Sequence, residues 1–206
     1  MELFFFFSKK KKESELRVYE VLVREKNDNK YIDLRVAIAG SVDSGKSTFT
    51  GSIVNGITDD GRGFARSTIF NYPHEIKTGR TSSISHQILG FDHKGDIVNY
   101  RSSCGKMSWP DIVRSSSKII TFFDLAGHEK YLKTTILGLT SAPPNLCLIM
   151  VGANRGILRM TREHIFLCIT LGIPFAFVIT KIDMIADNEN VYKETLTTIN
   201  KILKSP

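Results

Sequence analysis

The chain has little cysteine: three residues in 206, at Cys104, Cys147 and Cys168. The number is odd, no Cys-x-x-Cys pair occurs, and Cys147 and Cys168 lie inside apolar runs. That pattern excludes a disulfide framework and reads as buried thiols in a reducing compartment. No cluster of candidate ligands occurs at zinc-site spacing, which excludes a structural zinc centre. The N-terminal apolar run, four phenylalanines at 4–7, is too short to span a membrane. Four lysines follow it at 9–12, and charge after the apolar run is the wrong order for a secretory signal. Residues 1–15 are therefore expected to form a solvated, disordered tail. The chain is expected to be a cytoplasmic monomer with no membrane or DNA partner. Acidic residues are outnumbered, 21 against 28 basic, for a net charge of +7. Such a balance admits contact with RNA or ribosomes. No aromatic RNA-binding motif accompanies it, so charge alone does not make an RNA-binding protein.

What is present fits one globular domain over residues 16–206, and 42% of the chain is hydrophobic. Residues 16–24 alternate apolar and polar, a turn signal follows at 26–30, and 31–39 is rich in Val and Ile. These predict an N-terminal antiparallel hairpin that leads into the core. Short apolar runs at 34–39, 118–123, 145–151 and 174–180 predict buried parallel strands. Helical spacing predicts one helix capped by Thr161 and stopped at Gly172, and another over 188–204. Strands alternating with helices predict an α/β fold with a mainly parallel sheet flanked by helices. Residues 56–117 show weak periodicity, with one candidate hairpin formed by 86–91 and 96–101.

Three motifs carry the chemistry. Gly40-Ser-Val-Asp-Ser-Gly45-Lys46-Ser47 matches the phosphate loop GxxxxGK[ST], between a predicted strand and a predicted helix. Its glycines let backbone N–H groups surround phosphate oxygens, and the helix start adds a positive dipole end. Lys46 is placed to reach the β- and γ-phosphates, and the Ser47 hydroxyl to meet Mg²⁺. Asp124-Leu-Ala-Gly127 follows the strand at 118–123. Its carboxylate suits Mg²⁺ through water, and the Gly127 amide suits the γ-phosphate. Thr180-Lys181-Ile182-Asp183 follows the strand at 174–180. A carboxylate at Asp183 would accept from N1–H and the N2 amine of guanine, and if buried it would reject adenine. The aliphatic stem of Lys181 can lie over the base. All three motifs stand at carboxyl ends of predicted strands, where ligands of such sheets bind. They predict a nucleoside triphosphate site selective for guanine.

The assembled residues resemble the translational GTPases of the elongation factor Tu/1A superfamily. Asp124-Leu-Ala-Gly-His-Glu-Lys-Tyr131 is similar to that group's DxPGHxxY, with Ala126 in place of Pro. More narrowly, Asp60-Gly-Arg-Gly-Phe-Ala-Arg66, His74-Glu-Ile, Gly79-Arg-Thr-Ser-Ser83 and Ile88-Leu-Gly-Phe-Asp92 resemble the GTP-binding protein 1 and 2 group. The resemblance implies a P-loop G domain that binds GTP and GDP with Mg²⁺ and hydrolyses GTP as a switch. It implies that Thr81 joins Ser47 on Mg²⁺ and that His128 orients the attacking water. It places Val42, Asp43, Ser44, Gly45 and Thr48 around the phosphates, with a monovalent cation near Asp43. Val42 matches an apolar gate residue, whereas Arg80 stands where elongation factor Tu has an aliphatic one. Thr180 replaces the usual Asn. The family continues beyond the position of Pro206 with a last base-contacting loop and two β-barrels that meet tRNA or the ribosome. This sequence contains neither. A binding module with little catalysis is the alternative to a GTPase. Arg66 and Arg80 are the candidate arginines for a finger in cis.

Overall fold

The computed structural model describes residues 32–100, 107–185 and 189–204. The tail at 1–15, the first strand of the expected hairpin and Cys104 lie outside the described residues. Five strands form one sheet in the order β2-β3-β1-β4-β5. They are β1 (Ile32–Gly40), β2 (Ser85–Phe91), β3 (Lys118–Asp124), β4 (Leu146–Gly152) and β5 (Phe175–Thr180). All neighbours run parallel except β2, which pairs antiparallel with β3. This is the predicted α/β class, extended by one antiparallel edge strand.

The alternation within β1 builds both faces of the core. Ala37 and Ala39 point to one side, where α5 (Leu132–Ser141) and α6 (Arg159–Thr170) contribute Leu139, Ile165 and Cys168. Val36 and Ile38 point to the other, against Val54 of α1 (Lys46–Asn55) and Met150 of β4. A central strand buried on both faces has to be a continuous apolar run, which is how residues 34–39 read. Cys147 and Cys168 are free and fully buried, as expected. The longest helix, α7 (Glu189–Lys204), turns Ile199 and Ile202 inward.

Register sets the site. Ile38 lies beside Asp124 and Leu148, Gly40 beside Met150, and Gly152 beside Thr180. Strands β1, β3 and β5 therefore end along one edge of the sheet, bringing the three motifs to it.

Three local expectations differ. Thr161 does not cap α6: Leu158 occupies the cap, and Thr161 lies fully buried within the first turn. No breaker separates Gly156, which turns the chain at φ 62, from Thr161, so the helix starts earlier. The hairpin across 92–95 forms its turn, with the Asp92 amide donating to the Asp96 carbonyl. Among the described residues its return side contributes one bridge, Phe91 to Ile97. Between 56 and 117 the described residues form three short helices that periodicity did not reveal: α2 (Phe64–Ser67), α3 (Pro73–Thr78) and α4 (Trp109–Ser115). Helices of four to seven residues are too short to print a periodic stripe.

Candidate nucleotide-binding site

The phosphate loop joins β1 to α1. Gly40 leaves the strand at φ 144, and a Cβ there would lie 2.5 Å from the Met150 carbonyl. Gly45 caps α1 at φ 84, in the left-handed region that glycine adopts without strain. The loop closes on itself: the Ser44 hydroxyl and Lys46 Nζ both donate to the Ser41 carbonyl, at 2.9 and 2.8 Å. Lys46 is buried, and burial lowers its pKa against the pull of Asp124 and Asp43. Val42 is half-buried and Asp43 exposed at the loop's outer bend, with Asp43 Oδ2 3.9 Å from Arg155 Nη1.

Residues distant in sequence meet above Ser47. The Ser47 hydroxyl donates to Asp124 Oδ2 at 2.6 Å and lies 2.7 Å from the Thr81 hydroxyl, which donates to the same oxygen at 3.2 Å. Asp124 is fully buried and its Oδ1 has no partner. Burial pushes its pKa up to about 6, against the Lys46 charge and the two hydroxyls. Three hard oxygen donors with an orphaned buried carboxylate oxygen suit a small divalent cation such as Mg²⁺.

Glu75 holds Thr81 there. Its buried carboxylate accepts from the amides of Asn71, Tyr72, Ser82 and Ser83 and from the hydroxyls of Ser82 and Ser83. Burial alone would raise its pKa, but these bonds together hold it below the usual carboxylate range. Glu75 thus ties α3 to the segment flanking Thr81. Its only signal in the sequence is its place within His74-Glu-Ile.

His164 is the other residue that sequence reasoning missed. It lies fully buried on α6, where Nδ1 accepts the Gly40 amide at 3.1 Å. Burial, then the nearby Lys46 charge, lowers its pKa to about 4, so the ring is neutral. It supports the first residue of the phosphate loop from beneath. Its helical register, one position before inward Ile165, was the available clue.

A narrow cleft of about 50 Å³ runs over the loop, lined by Val42, Asp43, Gly45, Lys46, Ser47, Thr48, Arg66, Gly79, Arg80, Thr81, Gly127 and His128. Gly127 packs on the loop, and a Cβ there would lie 2.6 Å from the Gly40 carbonyl. His128 Nδ1 accepts the Lys130 amide at 3.1 Å, which leaves the ring proton on Nε2. A wider cavity of about 420 Å³ adjoins it, lined by Gly45, Thr48, Thr180, Lys181 and Asp183 among others. The Thr180 hydroxyl donates to the Ser44 carbonyl at 2.9 Å, so the residue that replaces Asn still couples this motif to the phosphate loop. Lys181 sits at φ 58. Asp183 is exposed on the cavity wall, so its selectivity requires the ligand's own ring to cover it. Every sequence-predicted site residue thus borders one of the two cavities or contacts one that does.

The family model "Elongation factor Tu GTP binding domain" matches residues 33–205. The chain belongs to this family. The GTP-binding domain is 50% identical over 192 residues to GTP-binding protein 1 of Xenopus laevis, covering 92% of this chain and 29% of that one. It is 50% identical over 191 residues to GTP-binding protein 2 of Homo sapiens, covering 92% and 31%. The chain therefore spans under a third of the length of these relatives. Among solved structures, the bacterial selenocysteine-specific elongation factor EF-Sec matches this GTP-binding domain with a TM-score of 0.56 at 26% identity. That match covers 86% of this chain and 24% of that one.

Proposed function

We propose that this domain hydrolyses GTP to GDP and phosphate as a switch, and that Ser47 and Thr81, with the Asp124 carboxylate acting through water, would hold the Mg²⁺ it uses. The observation that carries the reading is the convergence of those three side chains beside Lys46. Bound Mg²⁺ would supply charge neutralisation across the β- and γ-phosphates. Lys46 and the loop amides hold the phosphates, and Lys46 offsets charge that develops on the transferring phosphoryl group. His128, with its proton on Nε2, orients the attacking water rather than deprotonating it. Loss of the γ-phosphate releases Thr81 and Gly127, and the segments around them change partners. Thr180, Lys181 and Asp183 hold the guanine. A monovalent cation beside Asp43 would displace Arg155 from its 3.9 Å approach. Relatives named as elongation factors support a ribosome or tRNA as partner and a cytoplasmic location. Among the described residues, no helix is long and apolar enough to cross a membrane.

The His128→Ala variant is expected to release phosphate about 100-fold more slowly in single turnover, within the range for a positioned side chain. GDP affinity should stay within about twofold, because the ring acts beyond the β-phosphate. Equal rates in the two proteins would remove His128 from the mechanism.

Asp124 sets the pH dependence. With a folded pKa of about 6, its carboxyl carries a proton below that pH, and Mg²⁺ binding must release it. Mg²⁺-dependent GTP affinity is expected to be about tenfold weaker at pH 5 than at pH 7. Asp124→Asn should lose this component and keep only the titration of the nucleotide itself. A variant with the wild-type profile would assign the effect elsewhere.

A further inference from the structure

Arg66 lines both cavities. The phosphate cleft and the wider cavity share Gly45, Thr48 and Arg66. One end of the pair carries Thr81, Gly127 and His128, and the other carries Lys181 and Asp183. A nucleotide has a fixed covalent order: base, ribose, then α-, β- and γ-phosphate. A ligand with its base beside Asp183 and its terminal phosphate beside Thr81 therefore crosses the shared boundary at the ribose and α-phosphate. We infer that the Arg66 guanidinium is a phosphate-binding group of this site, directed at the α-phosphate of the guanine nucleotide.

The local structure is built to deliver that side chain. Gly51 of α1 has no side chain, and a Cβ there would collide with the Ala65 carbonyl. The short helix α2 can therefore rest directly on the helix that follows the phosphate loop, and Ala65 is completely buried there. Asp59 and Asp60 accept backbone amides of residues 61, 62, 64 and 65 and fix the turn into α2. The guanidinium then lies between two glycines. A Cβ at Gly63 would strike Arg66 Nε, and one at Gly79 would approach Nη2 to 3.1 Å. Gly63 and Gly79 sit at φ 97 and 65, so backbone geometry and space both favour glycine there. No ion pair of Arg66 with an acidic side chain is found among the described residues. Asp59 and Asp60, the nearest acids in sequence, are engaged with backbone amides. A half-buried guanidinium without an acid partner, facing a phosphate cleft, is matched by an anion that enters it.

This inference rests on the guanine-nucleotide reading of the site, and binding of wild-type protein to GDP is measured first. Failure there overturns that reading and the role of Arg66 with it. Where wild type binds, Arg66→Ala is expected to weaken GDP and GTP equally, by roughly 10- to 100-fold, as for loss of a charge-assisted contact. Arg66→Lys, which keeps the charge but not the fork, should fall between. Unchanged affinity in Arg66→Ala overturns the assignment while leaving the nucleotide reading intact. A loss confined to GTP, or to phosphate release with GDP affinity intact, would put the guanidinium at the γ-phosphate instead and also overturn it. Thermal unfolding without nucleotide separates a folding defect from a binding one. If Arg66→Ala unfolds early, Arg66→Lys decides the question, and wild-type affinity in a well-folded Arg66→Lys rejects the fork geometry.

Discussion

Asp183→Asn is expected to weaken GDP and GTP binding about 1000-fold and to make xanthosine diphosphate the better ligand. The loss follows from pairing. A carboxylate accepts both N1–H and the N2 amine of guanine, whereas an asparagine amide offers one acceptor and turns its NH₂ against a donor. Buried polar groups left unpaired or opposed set discrimination at about 10⁴–10⁵ at best, and an exposed wall residue gives up part of that. Xanthine carries an oxygen where guanine has the amine, so it accepts from the new amide. Competition of GDP and xanthosine diphosphate against a fluorescent guanine nucleotide reads both effects. An unchanged GDP preference in the variant would show that the wide cavity beside Lys181 does not hold the base.

Different physical signals made different parts of this site legible. The phosphate loop and Asp124 could be read because each follows a buried strand, and a strand with two covered faces writes a continuous apolar run. Order along the chain then placed them on one edge, and the observed register puts Gly40, Asp124 and Thr180 at strand ends. The antiparallel strand β2 was only half visible. Its partner in the expected hairpin reduces to a single bridge because Asp92 and Asn99 side chains satisfy the amides of residues 94, 96 and 90 instead of a ladder. The roles of Glu75 and His164 were hard to read for another reason. A carboxylate that collects four amides and two hydroxyls, and an imidazole that accepts one amide across 124 residues of sequence, depend on contacts with no local pattern. Thr161 misled because threonine suits helix caps, but here its place in the helix is inward and buried. The role of Thr180 was legible only as a mismatch to Asn. Its bond to the Ser44 carbonyl shows that a hydroxyl reaches the same loop.

Lys46→Met is expected to separate binding from stability. In the folded protein the ammonium is buried and donates to the Ser41 carbonyl, with the charges of Asp124 and Asp43 drawing it the other way from burial. Burial wins, and its pKa lies below the ordinary lysine value. A base with a depressed folded pKa takes up protons more readily when unfolded, so at neutral pH its charge costs the folded state stability. Methionine keeps most of the stem and removes the charge, so the cost disappears. Asp124 loses its counter-charge at the same time and holds its proton more tightly. Its pKa, about 6 in the wild type, moves further up, and the carboxyl still accepts from Ser47 and Thr81. The melting temperature without nucleotide should therefore equal or exceed that of wild type. Binding should move the other way. The β- and γ-phosphates lose their buried cation, and a loss of roughly 1000-fold in GTP affinity is expected from a charge-assisted contact in a site of low dielectric. With GTP at about 1000 times its Kd, wild type gains about 4 kcal/mol, which is about 10 °C for a domain of this size. Under the same conditions Lys46→Met should gain about 1 °C or less. Melting curves of both proteins, with and without GTP and Mg²⁺, read stability and affinity from one set of samples. A large fall in the nucleotide-free melting temperature would make Lys46 a structural residue, and a wild-type shift with GTP would remove it from the phosphate site.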